Sequence, residues 1–215
     1  DDEQLNIEYR DTRNASELVN VDVKLSRSYE GSPWYKLVSD TGKKSYISSI
    51  EASQVHQLYL KGNRSSLFNL NIRNYIGDTR TNKRIIESAL TEANDFFFYN
   101  NGISAICSKV EESENDSTLK CRHFSIINGA QTFRSISKAY TKLEGESKKQ
   151  IQDLNVMIRI TEIPNLFKDN NFIDSVTRYN NTQNAVKISD FRSNDGVQNS
   201  LSNRFKEISF LGKKY

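Results

Sequence analysis

Proline, cysteine, histidine, methionine and tryptophan are all scarce in this chain, and several of these scarcities close off a class of protein. Two prolines in 215 residues leave no proline-rich linker. The two cysteines, Cys107 and Cys121, flank an acidic polar stretch running from Glu111 to Asp116. If that stretch is a hairpin loop, the cysteines sit on neighbouring strands, and reduced, half-buried thiols are expected. The only histidines, His56 and His123, lie far apart, so no zinc-ligand spacing arises and a Cys/His metal centre is not expected. No apolar stretch approaches the ~18–20 residues of a membrane helix. The N-terminus, Asp1-Asp2-Glu3-Gln4, has neither the basic nor the apolar region of a leader. These features predict a cytoplasmic protein with no membrane partner. The chain also begins without an initiator methionine and stops after Gly212-Lys213-Lys214-Tyr215, the appearance of a fragment of a longer protein.

Charge decides little. Thirty basic against 27 acidic residues give a net +3, compatible with a nucleic-acid partner but not diagnostic of one. Near the C-terminus Arg204, Lys206, Lys213 and Lys214 accompany Glu207, which reads as a solvated amphipathic helix with a frayed tail. No glycine-rich phosphate loop is present, and neither histidine adjoins a serine or cysteine in a nucleophile motif. Glu87, Glu92 and Asp95 accompany a helix, where carboxylates are usually solvated charge. The residues name no cofactor.

Hydrophobic residues make up 36% of the chain, and they fall in periodic runs. Val19, Val21, Val23 and Leu25 alternate as a half-buried strand does. Residues 34–38 and 44–47 flank Asp40-Thr41-Gly42 as a hairpin. A helix from about Ile50 to Leu60 is expected, capped by Ser48 or Ser49. Leu67 to Gly77 reads as a short strand or extended segment. Helical spacing follows from Thr81 or Asn82 through Ile85, Ile86, Ala89, Leu90 and Ala93. Ile103–Val110 and Leu119–Ile127 look like paired strands, Gly129 to about Leu143 a helix, and Leu154–Ile160 a strand. Pro164 is expected to start a helix over residues 165–178, and Ser189 to cap a last one. The fold class is therefore α+β, a mixed sheet with packed helices and a β-rich N-terminal region. A soft boundary near residue 62 separates residues 1–62 from a core of 63–215, with one continuous domain as the alternative.

The most informative features are three amide- and glycine-rich junctions: Asn100-Asn101-Gly102, Asn128-Gly129 and the run from Asn180 to Asn184. The first two follow apolar runs, which look like buried strands ending in turns, since Asn and Gly tolerate φ > 0. At the second junction a strand passes through Asn128-Gly129 into a helix whose first turn presents unpaired N–H groups, a ready anion site. Asn128, Gln131, Ser135 and Lys138 are expected opposite the Phe133/Ile136/Tyr140 face, with Arg134 at the flank. That face fits phosphate binding, and equally an ordinary solvated face. The third run, through Asn180, Asn181, Gln183, Asn184 and Lys187, suits base edges or plain loop hydrogen bonding.

These residues resemble a known family. Leu67–Gly77, Tyr99-Asn100-Asn101-Gly102-Ile103, Ile126–Thr132 and Asn181–Asp190 are similar, in order, to the successive motifs of the AIPR proteins, the abortive infection phage resistance family of bacteria. The resemblance implies antiviral defence, with residues 63–215 as the family's core. It also implies an upstream nuclease-like segment or a partner protein, since longer members carry one and no acidic nuclease motif stands here. A second resemblance links Ile127–Ile136 to the Asp-Gly-Gln-Gln-Arg type motif of ParB-like nucleotidases. It implies a ParB-like core in which Gly129–Arg134, with Gln131 and Thr132 between, contacts phosphates and Asn180–Lys187 closes the site. Asn128 stands where those enzymes have aspartate, which weakens hydrolysis more than binding.

Three readings follow. One is a defence module binding a nucleotide or nucleic acid through Arg73, Asn128–Arg134 and Asn180–Lys187, with Asn100, Asn101 and Gly102 beside them. Another is a hydrolase in which Asp190 or Glu87 supplies the missing carboxylate. The third is a protein-interaction module sensing a phage component, its junctions purely structural. Whether the chain is an enzyme stays open.

Overall fold

The computed structural model describes residues 18–26, 31–62, 66–71, 80–143, 145–152, 154–168 and 170–181. Arg73, Gln183, Asn184, Lys187, Ser189 and Asp190 lie outside them. The described residues form a seven-stranded sheet in the order β1-β6-β4-β7-β3-β2, with β5 added beside β6. The strands are β1 (Val19–Lys24), β2 (Tyr35–Val38), β3 (Lys44–Glu51), β4 (Ile103–Cys107), β5 (Lys109–Ser113), β6 (Thr118–Asn128) and β7 (Asn155–Glu162). All pairs are antiparallel except β4 with β7, so the sheet is mixed and the class is α+β. Strands from both sides of residue 62 join this one sheet.

Alternation assigns the two faces. Ala105 and Cys107 on β4, Ile126 on β6 and Ile158 and Ile160 on β7 face one core, shared with α1 (Ala52–Lys61), α2 (Arg80–Thr91) and α4 (Ala130–Lys142). Ile106 and Ile127 face a smaller core, with Ile163, Leu166 and Ile173 of α5 (Asn170–Asn181). Each fully buried Ile or Leu contributes roughly 1.5–3 kcal/mol, so the three-helix side holds most of the stability. No helix among the described residues is long and apolar enough to cross a membrane.

Several sequence expectations change. Ser48 and Ser49 do not cap α1; they belong to β3, which pairs with β7 from Lys44↔Glu162 to Glu51↔Asn155, so the ladder satisfies their backbone groups. Leu67 and Phe68 sit in a 3-10 turn, Ser66–Phe68, rather than a strand. Phe96–Tyr99 is not a buried strand but a one-turn helix, α3, with Phe96 buried and Phe98 and Tyr99 78% and 63% exposed. A run of four aromatics carries no period that tells strand from helix. Residues 164–168 are turns with Leu166 buried, and α5 begins only at Asn170. Ser135 is buried inside α4, because small residues let α1, α2 and the sheet approach that helix closely.

Both cysteines are free, and buried rather than half-buried. The neighbouring Cys121 thiol and burial hold Cys107 well above the usual thiol range, the setting of an inert cysteine. Beyond them, Tyr46 is buried and its hydroxyl donates to Glu112 at 2.9 Å and Glu162 at 3.4 Å. Lys36 reaches Glu112 at 2.5 Å and Lys44 reaches Glu162 at 3.3 Å. Burial opposes ionisation of Glu112, but hydrogen bonds from Lys36 and Tyr46, and the charges of Lys36 and Lys44, outweigh it. Its carboxyl therefore titrates below the usual range. A depressed folded pKa stabilises fully above the unfolded value and is lost as pH falls through the folded one. The urea midpoint is expected to drop below about pH 4.5, and Glu112→Gln to flatten that part of the profile. An unchanged profile in the variant would show that the contacts carry no net stability.

Candidate functional site at the amide junctions

The three junctions meet at one end of the sheet as far as they are described. β6 ends at Asn128, and Gly129 takes φ 82°, ψ 15° to turn into α4, which no side chain caps. The Asn128 side-chain oxygen accepts the Gly129 N–H at 2.6 Å, and its amide NH₂ donates to the Asn180 carbonyl at the end of α5. Asn100 binds the first two junctions together. Its Oδ1 accepts the Gly102 N–H at 2.9 Å and the Thr132 hydroxyl, from the first turn of α4, at 3.2 Å.

A β-bulge sets the face. Ala105 opposes Ile126 but Ser104 opposes Asn128, so Ile127 is the extra residue. Strict alternation from Ile126 would send Asn128 into the three-helix core. The bulge returns it to the α5 side, beside Ser104. Ser104 in turn pairs with Arg159 on β7, which completes a row Asn128–Ser104–Arg159 across three strands. Arg159 donates to Ser104 Oγ at 3.2 Å and to the Asn180 side-chain oxygen, while the Asn180 NH₂ donates to Val176 O at 2.7 Å. All four residues are half-buried.

Arg159 and Ser104 are the site residues that sequence reasoning missed. The signal was an arginine between buried Ile158 and Ile160, since a cation within an apolar strand needs a polar neighbour. Arg134 lies apart from this row, its guanidinium over the Phe68 ring at 4.4 Å. Asn101 is exposed and Gln131 half-buried, and the side chain of neither hydrogen-bonds to another described residue. Glu87 belongs to α2, which packs on α4 and on the 3-10 segment Gly145–Ile151. No carboxylate takes part in the junction contacts given above, and no group of three or more His, Cys, Asp and Glu side chains converges among the described residues.

Fold and site together define a mixed-sheet α+β protein with a guanidinium-bearing amide junction between a strand and an uncapped helix. A family model described as AIPR protein matches residues 68–214, a span holding all three junctions, and the chain belongs to that family. A role in abortive infection and phage resistance is consistent with this membership. No curated protein and no solved structure matches, so the ParB-like resemblance gains no support.

Proposed function

We propose that this chain is a cytoplasmic phage-defence domain whose amide junction binds a phosphate group of a nucleotide or nucleic acid. The observation that carries the reading is a chain of contacts among residues remote in sequence: Arg159 bonds to Asn180, Asn180 to Asn128, and Asn100 to the first turn of the helix that Asn128 precedes. Arginine matches phosphate bidentately. The uncapped first turn of α4 adds N–H groups and a partial positive charge, and Asn101 and Gln131 keep amides available. Asn128, with both ends of its amide engaged, acts by positioning. Arg134, held over Phe68, is a second candidate cation, joined in this reading by Arg73, Gln183, Asn184 and Lys187.

Phe98 and Tyr99, largely exposed, immediately precede Asn100, and exposed aromatics beside phosphate donors suit base stacking. Their joint replacement by alanine is expected to weaken a single-stranded oligonucleotide about tenfold while leaving a mononucleotide unchanged. Equal loss for both ligands would count against stacking.

The internal bonds made by Asn100 and Asn128 favour one other reading, a protein-interaction module whose amides only brace the turn. A thermal-shift series with nucleoside phosphates and short DNA and RNA strands separates the two, because a ligand binding only the folded state raises its melting temperature. A saturable rise that Arg159→Ala abolishes supports phosphate binding at the junction. No rise with any of these ligands leaves the interaction module.

A further inference from the structure

On the three-helix side of the sheet, remote from the row that faces α5, a groove of about 670 Å³ runs along the C-terminal half of α4. It falls within the roughly 300–1,000 Å³ of small-molecule sites. Its apolar lining comes from Tyr59, Leu60 and Ile86, its polar wall from His56 and Ser137, and its cations include Lys83 and Lys142; among the described residues no carboxylate lines it. His56 is fixed there, with Nδ1 3.0 Å from the hydroxyl of buried Ser137 and its ring 5.0 Å from Tyr140.

The charges are what a plain solvated helix surface does not explain. Lys83 and Lys142 make no ion pair with a described residue. Lys83 stands near the start of α2, whose first turn holds no acidic residue, so it faces the positive end of the helix dipole, where a cation is disfavoured. Lys142, in the last turn of α4, does complement its own helix, but nothing comparable places Lys83. Lys148 lies 5.2 Å from the Tyr140 ring. Burial and then the Lys148 charge hold the His56 imidazole below its usual range. A bare anion would have no use for the apolar lining, and an apolar ligand none for the lysines.

We propose that this groove binds a small organic anion with an aromatic body, of the nucleoside monophosphate class, its ring against Tyr59, His56 and Ile86 and its phosphate between Lys83 and Lys142. The site is independent of the amide junction, which lies at the other end of α4.

The test is a titration of the whole chain with AMP, followed by the imidazole resonances of the two histidines. His56 is expected to shift saturably and His123 to stay still. Lys83→Glu combined with Lys142→Glu is expected to weaken AMP by about tenfold or more, while Lys83→Arg with Lys142→Arg holds it within about twofold because the charge is kept. Arg159→Ala, in the junction, is expected to leave the His56 response intact, which separates this site from the other. If the charge-reversed pair melts early, the arginine pair and the wild-type titration still decide. The proposal is overturned if AMP leaves His56 unmoved, if tripolyphosphate shifts it as strongly as AMP, or if an acidic peptide binds there and AMP does not.

Discussion

Gly129→Ala is expected to destabilise the protein by roughly 2–4 kcal/mol, with two physical causes acting together. At φ 82° an alanine is strained in the left-handed region, which alone costs about 1 kcal/mol or more. The added Cβ would also stand 2.5 Å from the Gly102 carbonyl oxygen and 3.0 Å from Ile103 Cα. Both neighbours are backbone and cannot swing away. Gly102 is pinned in turn, since its own Cβ would meet the Met157 carbonyl at 2.6 Å. In a domain of this size the loss lowers the melting temperature by about 5–15 °C. Gly42 is the internal control: its φ is 78° with nothing within 4 Å of a built Cβ, so Gly42→Ala carries only the strain of about 1 kcal/mol. Gly129→Asn, which tolerates φ > 0, is not expected to recover stability, because the clash stays. If Gly129→Ala melts alongside Gly42→Ala, the close approach of the two junctions is wrong. Loss of phage protection in this variant follows from unfolding and does not by itself report on a ligand.

Arg159→Ala is the sharper test of the junction. The guanidinium is half-buried and bonded to Ser104 and Asn180, so its removal leaves two polar partners but opens no core cavity. Stability is expected to fall by about 1 kcal/mol. If a phosphate binds here, affinity is expected to fall by about 2 kcal/mol, near 30-fold, because a desolvated charge partner is lost. Arg159→Lys keeps the charge but not the planar fork, and is expected to recover only part of the binding. The discriminating measurement is affinity for the best ligand of the thermal-shift series, with melting temperature recorded in parallel. Affinity unchanged in Arg159→Ala, with Arg134→Ala causing the loss instead, would move the cation from the β7 row to the Phe68 side of α4.

How much was legible beforehand can be judged residue by residue. The alternation in β1, the Asp40-Thr41-Gly42 hairpin and the helical spacing in α2 and α4 each depend on local chemistry, and each appears close to its expected bounds. The strand–Asn128-Gly129–helix junction was equally plain, because an apolar run, a residue able to take φ > 0 and a new 3.6-residue period follow one another directly. Motif order sufficed for family membership.

Non-local pairing decided the rest. Ser48 and Ser49 look like helix caps in isolation, and they became strand because β7, over a hundred residues later, supplied a full ladder. Asn128 shares its parity with buried Ile126, and only an extra residue opposite β4 returned it to the α5 side. Arg159 had no visible tie to Asn128 or Asn180 until the parallel pairing of β4 with β7 set it in register with Ser104. The sequence by itself therefore determined the types of β1, the Asp40-Thr41-Gly42 hairpin, α2 and α4, the Asn128-Gly129 turn and the family, all matters of neighbours within a few residues. Which face each polar side chain presents, and which cation stands among the amides, was settled by strand register, which depends on partners the local sequence does not contain.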